Sequence, residues 1–232
     1  METIQTNVPI NVLDKGFVKL VDIMPKHYQD PELKCDEAIV RAARVSYNQS
    51  SKGTERDTKL IQYLVKHHHS VPLESIVFQF QIKCPIFVQR HIVKHRMSSM
   101  NEVSARYTKV IDEWYTPTKV RKQCTKNKQS SNGFLETSLS EHFNQSCQSS
   151  YKQYEELLEK GVSREMARII LPQSMYTQFF WKIDLRNALH FCNLRNAPDS
   201  QWETQQYAQA IEQIIKETNP VSYKAFREQN KQ

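Results

Sequence analysis

Glycine is scarce in this chain, and its scarcity restricts how the chain can hold a nucleotide. The 232 residues include four glycines, none close to another in sequence: Gly16, Gly53, Gly133 and Gly161. The G-x-G-x-x-G loop of dinucleotide-binding folds and the P-loop both need glycines a few residues apart. The sequence therefore excludes both loops, and a nucleotide cofactor would have to be held by side chains and helix termini.

The charge balance favours anionic partners. The formal net charge is +7 and the isoelectric point is about 9.1. Such an excess attracts phosphorylated small molecules, nucleic acid or an acidic membrane surface, and a merely basic surface is an equally open interpretation. With 39% hydrophobic and 25% charged residues, the chain is expected to be globular, with residues 1–232 forming a single domain.

Cysteine usage indicates a reducing environment. The five cysteines are odd in number and form no C-x-x-C pair, which argues against a disulfide framework or a zinc ribbon. The N-terminal residues lack the basic and apolar segments of a signal peptide, and no apolar run approaches the length of a membrane span. We therefore expect a cytoplasmic protein with no membrane partner.

Hydrophobic periodicity predicts an α+β fold, with mixed helices and a small sheet rich in antiparallel pairs. Alternating apolar and polar residues predict strands at 17–23, 76–82 and 175–183. Apolar spacings of three and four predict helices at 36–47, 55–68, 85–96, 138–160, 164–171 and 185–195. A last long helix is expected between Ser200 and Pro220.

Local signals refine these bounds. Ser138 with Glu141, and Ser200 with Glu203, match the capping-box pattern at the start of a helix. The stretch 120–134 is polar and basic, and we expect it to be a mobile surface loop.

The run from Lys94 to Tyr107 concentrates the groups that bind anions. It holds three cations, a histidine, an asparagine, a glutamate, three serines and a tyrosine. A run of this composition is most often a solvated face. It follows a well-patterned strand and helix, however, and a rigid scaffold presenting cations and hydroxyls is how phosphate sites are built.

Two further groups could carry chemistry. Arg186, His190 and Asn193 share one face of the predicted helix 185–195, which is equally compatible with an ordinary polar face. Arg195, at the end of that helix, is expected to point nearly opposite to Arg186. The His91–His95 pair invites a zinc interpretation, but a lysine and no carboxylate lies between the two, so we expect no metal.

The run His95–Tyr107 resembles the signature of the flavin-dependent thymidylate synthases, R-H-R-x-x-S-x-N-E-x-S-x-R-Y. The similarity extends from about residue 13, through 41–46, to about residue 203, and keeps the order of elements. It thus covers most of the chain, and a fixed pattern of this length rarely arises by chance.

The resemblance implies a function. Members of the family make dTMP from dUMP, taking a methylene group from methylenetetrahydrofolate, with FAD as hydride carrier and NADPH as reductant. They are α+β homotetramers whose active sites are shared between subunits.

The resemblance also assigns roles to residues, with Arg195 as the catalytic residue that stabilises negative charge on the uracil ring. Positions matching flavin contacts are Ser46, His69, Glu74, Lys94, His95, Arg96, Glu102, Arg186 and His190. Positions matching dUMP contacts are Arg90, His91, Lys94, Glu102, Val103, Ser104, Ala105, Arg106, Arg168 and Arg195. No metal is expected.

The chain departs from the family pattern at four positions. Lys94 replaces the first arginine of the signature and loses its bidentate fork. His91 stands where glutamine is common, Asp184 where asparagine is possible, and Val71 where a threonine hydroxyl can contact flavin. None of these changes removes an essential charge.

Two rival functions stay open from the residues alone. One is a different flavin or phosphate enzyme on the same scaffold. The other is nucleic-acid binding, suggested by the basic isoelectric point and the 120–134 stretch. That stretch lacks interleaved aromatic residues for base stacking, so we expect no nucleic-acid partner.

Overall fold

A computed structural model describes residues 1–135 and 138–230. Its α-helices are α1 Glu37–Arg44, α2 Thr54–Lys66, α3 Ile86–Ile92, α4 Leu139–Glu159, α5 Arg164–Ala167, α6 Leu185–Arg195, α7 Trp202–Thr218 and α8 Pro220–Gln229. Its strands are β1 Glu2–Thr3, β2 Pro9–Val12, β3 Gly16–Met24, β4 His27–Tyr28, β5 Val77–Pro85, β6 Ser98–Glu102, β7 Arg121–Gln123, β8 Ser131–Phe134 and β9 Tyr176–Asp184.

The main sheet is antiparallel throughout. Its five strands lie in the order β2-β3-β5-β9-β6. Trp181 at its centre pairs with Phe80 of β5 on one side and Met100 of β6 on the other. The expectation of an α+β fold with a small antiparallel-rich sheet is confirmed.

The main core lies between the sheet and its helices. Phe78, Phe80, Trp181, Phe191 and Tyr207 are almost completely inaccessible. Burying a side chain of this size contributes roughly 2 kcal/mol, and the edge-on contact of Trp181 with Phe191 joins β9 to α6. The core thereby fixes the position of α6 relative to the sheet.

A second, smaller core lies under α4. Its buried members are Tyr151, Tyr154, Ala167 and Met175. The partly buried residues packed on it are Ile86, Val110, Trp114, Leu157, Leu158, Val162 and Leu171.

The predicted helix 85–96 is too long, and the strand after it was not predicted. The helix α3 ends at Ile92, and a turn from Ile92 to His95 leads into β6. Residues 98–102 pair with β9 as the edge strand of the sheet. His91 and His95, four residues apart in the predicted helix and so expected on one of its faces, do not both lie on α3, because tertiary strand pairing overrides the local pattern.

Both predicted capping boxes are absent. The Ser138 side chain makes no capping hydrogen bond at the start of α4. Helix α7 begins after Gln201, and its Glu203 carboxylate instead accepts hydrogen bonds from Arg121 and Tyr115. A buried carboxylate takes the strongest donors within reach, and a guanidinium is stronger than a backbone amide.

The last helix, α8, was missed because Pro220 was interpreted as a stop. Proline is also favoured in the first turn of a helix, where its missing N–H costs nothing. The amides of Val221 and Ser222 donate to the buried Asp36 carboxylate, at 2.8 and 3.1 Å. A residue from the other end of the chain therefore caps this helix.

The stretch 120–134 contains the hairpin β7–β8, whose Gly133 has φ of +61°. Its mobility stays a prediction. Within the described residues, no helix is long and apolar enough to cross a membrane.

Candidate active site

Two cavities flank the signature run. Cavity A has a volume of about 1050 Å³ and lies between α6, the end of α2, the end of α8 and residues 94–97. Cavity B has a volume of about 790 Å³ and lies between residues 101–111, residues 175–180 and the helical turn at Arg168.

The two cavities lie at opposite ends of β6. Cavity A begins just before Ser98, which pairs with Ile183, and cavity B begins near Glu102, which pairs with Phe179. The strand has five residues, and at roughly 3.3 Å per residue it separates the cavities by about 13 Å. The signature run therefore contributes to two sites on one chain.

Helix α6 presents the cations of cavity A. Its N-cap, Asp184, accepts a hydrogen bond from the amide of Asn187 at 2.9 Å, so the helix starts directly where β9 ends. Arg186, His190 and Arg195 all line the cavity. The first and last lie on opposite helical faces by spacing, yet both long side chains reach the same cavity.

Arg195 is held in place by two acceptors. Its Nε donates to Nε2 of His95 at 3.1 Å, and its Nη2 donates to the carbonyl oxygen of His91 at 3.3 Å. Burial, with the nearby Arg195 and His190, lowers the pKa of His95 to about 4. His95 is therefore neutral near pH 7 and can accept this hydrogen bond.

His91 supports this arrangement from behind. Its Nδ1 lies 2.9 Å from the hydroxyl of Thr204. Burial and the neighbouring Arg195 lower the pKa of His91. The two contacts of Arg195 use Nε and Nη2, and the same residue lines cavity A.

Glu102 is fixed at the entrance to cavity B. One carboxylate oxygen accepts from Gln89 at 3.2 Å and the other from the hydroxyl of Thr177 at 2.5 Å. Neither Gln89 nor Thr177 was predicted from the sequence. Thr177 lies 75 residues away, and only the β6–β9 pairing brings it close.

The predicted site residues divide between the cavities. Those lining cavity A are His69, Lys94, His95, Arg96, Arg186, His190 and Arg195. Those lining cavity B are Glu102, Val103, Ser104, Ala105 and Arg168.

The other predicted residues lie outside these linings. Ser46 and Arg90 are exposed. Glu74 forms an ion pair with Arg186 at 2.9 Å, and Arg106 forms one with Glu165 at 3.1 Å. His91 touches the site through its carbonyl contact with Arg195.

Metal and thiol chemistry find little support in this geometry. Among residues 1–135 and 138–230, no group of three or more His, Cys, Asp or Glu side chains could hold a metal ion. In the same part of the chain, no cysteine lines cavity A or cavity B. Burial raises the pKa of Cys35 to about 12 and raises the pKa of Cys84 and Cys192 as well.

A family model and individual relatives with similar sequences point to the same family. The family model described as thymidylate synthase complementing protein matches residues 29–221. A flavin-dependent thymidylate synthase of Thermus thermophilus is 48% identical over 220 residues, 94% of this chain and 78% of that protein. One of Thermosipho africanus is 47% identical over 219 residues, 93% of this chain and 92% of that protein.

A solved structure has a similar fold. The UMP/dUMP methylase PolB from Streptomyces cacaoi, bound with 5-Br dUMP, superimposes with a TM-score of 0.82. It shares 29% sequence identity, and the match covers 94% of this chain and 97% of that one.

Proposed function

This chain belongs to the flavin-dependent thymidylate synthases and converts dUMP into dTMP, and we propose that methylenetetrahydrofolate supplies the carbon, FAD carries the hydride and NADPH is the reductant. The observation that carries the proposal is the placement of the signature run. The run contains β6, and it contributes cations to cavity A and the carboxylate and hydroxyl of Glu102 and Ser104 to cavity B.

Cavity A fits a flavin dinucleotide. Lys94, Arg96 and Arg186 line it and can neutralise a pyrophosphate without a glycine-rich loop. Leu64, Leu73 and Leu189 offer apolar wall for a planar ring system. When bound, the flavin supplies hydride chemistry that protein side chains lack.

Arg195 is the residue best placed to polarise the uracil ring. The ring becomes nucleophilic at C5 only as negative charge builds on its carbonyls and N3, and a fixed cation near that charge lowers the barrier. His95 and the His91 carbonyl hold the guanidinium before the substrate arrives. Such preorganisation avoids the cost of reorienting the charge during the reaction.

Cavity B fits the nucleotide phosphate and sugar. Arg168 offers a guanidinium fork, which suits a phosphate dianion. The Ser104 hydroxyl can donate a hydrogen bond to a phosphate oxygen, and the Glu102 carboxylate can accept one from a sugar hydroxyl.

We further propose that the active site is shared between subunits of a homotetramer. The residues matching dUMP contacts are divided, with Lys94 and Arg195 at cavity A and Glu102, Ser104 and Arg168 at cavity B. Because β6 separates them by about 13 Å, cavity B of one chain facing cavity A of another would reunite them. Large exposed apolar side chains near cavity B, Tyr107 at 79% and Ile169 at 69%, are suited to such an interface.

The first experiment titrates apoprotein with FAD and follows flavin fluorescence, then assays dTMP formation from dUMP, methylenetetrahydrofolate and NADPH. We expect saturable binding at micromolar protein and turnover that requires all components. Absence of a saturable change would contradict the flavin assignment.

The second experiment tests sharing by complementation. Arg195→Ala removes the cavity A contribution and Arg168→Ala the cavity B contribution. Chains carrying either change are refolded together, and mixed oligomers should regain activity because some sites combine two intact halves. Each variant refolded alone is the control, and no gain on mixing would argue for sites within one chain.

A further inference from the structure

The wall of cavity B is a segment with no regular secondary structure. Residues 103–111 follow β6 and contain no helix or strand. The amide of Val103 donates to the Gln178 carbonyl of β9 at 2.9 Å, and the amides of Tyr107 and Thr108 donate to the Ser104 carbonyl. Beyond Val103, no backbone hydrogen bond of the described residues joins this segment to a strand. Its geometry must come from tertiary contacts.

Two tyrosine hydroxyls of α4 grip one residue of that segment. The amide of Val110 donates to Tyr154 Oη at 3.1 Å, and Tyr151 Oη donates to the Val110 carbonyl at 2.8 Å. Tyr154 is inaccessible and Tyr151 is 5% exposed. Both polar groups of one half-buried backbone residue are therefore satisfied from a single helix.

The neighbouring residue is held by the same helix. The Lys109 ammonium forms an ion pair with Glu155 and lies 5.8 Å from the centre of the Tyr151 ring. Lys109 and Val110 both line cavity B. Two hydrogen bonds, one ion pair and one cation–π contact thus tie two adjacent residues of the wall to one stretch of α4.

The same small core supports the opposite wall. Ala167 is packed in it and directly precedes Arg168, while Met175 leads into the strand that carries Thr177. The small core is therefore a common support for both sides of cavity B.

We propose that Tyr151 and Tyr154 are positioning residues for nucleotide binding: their hydroxyls fix Val110 and thereby the 103–111 wall of cavity B. The consequence for dUMP rests on the proposed function. The claim that these hydroxyls fix residues 103–111 does not depend on the proposed function, so the structural role and the effect on dUMP binding can be tested separately.

The test uses Tyr151→Phe and Tyr154→Phe in the full chain, which keep the rings and remove one hydroxyl each. The Michaelis constant for dUMP should rise about five- to tenfold, because a half-buried backbone group loses its partner. The turnover number should change by less than about twofold, since Arg195 is untouched, and the FAD dissociation constant should be unchanged. Tyr28→Phe is the matched control, since Tyr28 is a buried residue whose hydroxyl donates to Glu2 and lines neither cavity.

Glu155→Gln changes a side chain that is 42% exposed, so misfolding is not expected. Releasing Lys109 should raise the Michaelis constant for dUMP about twofold. Unchanged Michaelis constants in all three variants, or a loss of turnover at unchanged Michaelis constant, would overturn the positioning role.

Hydrogen exchange gives a readout independent of activity. The Val110 amide should exchange slowly in the parent chain and in Tyr28→Phe, and at least about tenfold faster in Tyr154→Phe. Equal exchange in parent and variant would overturn the proposal. If the parent chain makes no dTMP, the proposed function fails. The exchange measurement still decides whether the tyrosine hydroxyls of α4 hold Val110.

Discussion

Cavity A and cavity B are built in different ways. In cavity A, Arg186 and Arg195 are side chains of a capped helix packed on the main core, and two hydrogen bonds hold Arg195. Lys94 and Arg96 reach the same cavity from the segment before β6. In cavity B the wall is an irregular segment whose position depends on side chains from α4. A helix therefore places two of the cations of cavity A, whereas side chains of α4 hold the wall of cavity B.

This difference predicts different kinetic defects for the two arginines. Arg195→Ala should lower the turnover number about a hundredfold or more, because loss of one preorganised charge contact costs about 3 kcal/mol in the transition state. FAD should stay bound, since Lys94, Arg96 and Arg186 remain. Turnover is measured as dTMP formed per bound flavin.

Arg168→Ala is the counterpart in cavity B. It should raise the Michaelis constant for dUMP about tenfold or more through loss of a charge-assisted hydrogen bond, with a smaller effect on turnover. If Arg195→Ala and Arg168→Ala changed the turnover number and the Michaelis constant in the same way, the division of roles between the cavities would be wrong.

Arg195→Lys, which keeps the charge, should recover part of the turnover lost in Arg195→Ala.

The sequence predicts the two cavities unequally. The bounds of α6 follow from local pattern alone, because its N-cap Asp184 and its apolar face lie within the helix or beside it. The strand β6 could not be predicted, since its polar sequence forms a strand only by pairing with β9. Gln89, Thr177 and the tyrosines of α4 were missed for the same reason: they act across long sequence distances.

Sequence resemblance supplied what periodicity could not. It marked Glu102, Ser104 and Arg168 as nucleotide contacts, and the structure places them together at cavity B. It could not indicate that Lys94 and Arg195 lie at a different cavity, because a linear pattern does not show which end of a strand a residue occupies. The same limit applies to α8, whose cap Asp36 lies 185 residues before Val221.

The pH dependence of stability should also distinguish the two regions. The pKa of His95 falls from 6.5 to about 4 on folding. Between pH 6.5 and about 4, His95 is protonated in the unfolded chain and neutral in the folded chain. The free energy of unfolding therefore decreases as the pH falls through this range. Protonation would also remove the acceptor that holds Arg195.

His95→Gln removes this titration while keeping an acceptor. The free energy of unfolding, from urea denaturation at several pH values in that window, should fall less steeply with acidification than in the parent chain. His142→Gln, at an exposed position of α4, should follow the parent chain. An unchanged slope in His95→Gln would show that His95 is not the group responsible.

The smallest effects are expected from the cysteines, and they test whether either cavity hides a nucleophile. An attacking thiolate needs a lowered pKa, from a cation, a base or a helix N-terminus. Here burial raises the pKa of Cys84 and Cys192, and among the described residues no thiol lines cavity A or cavity B. Replacing each cysteine singly by serine or alanine should leave dTMP formation per bound flavin within about twofold of the parent chain.

Normalising by bound flavin is essential, since Cys192 is buried against Ala208 and its loss costs stability. A replacement that abolished turnover while leaving flavin and dUMP bound would place a covalent step on that thiol, and the assignment of charge stabilisation to Arg195 would then have to be revised.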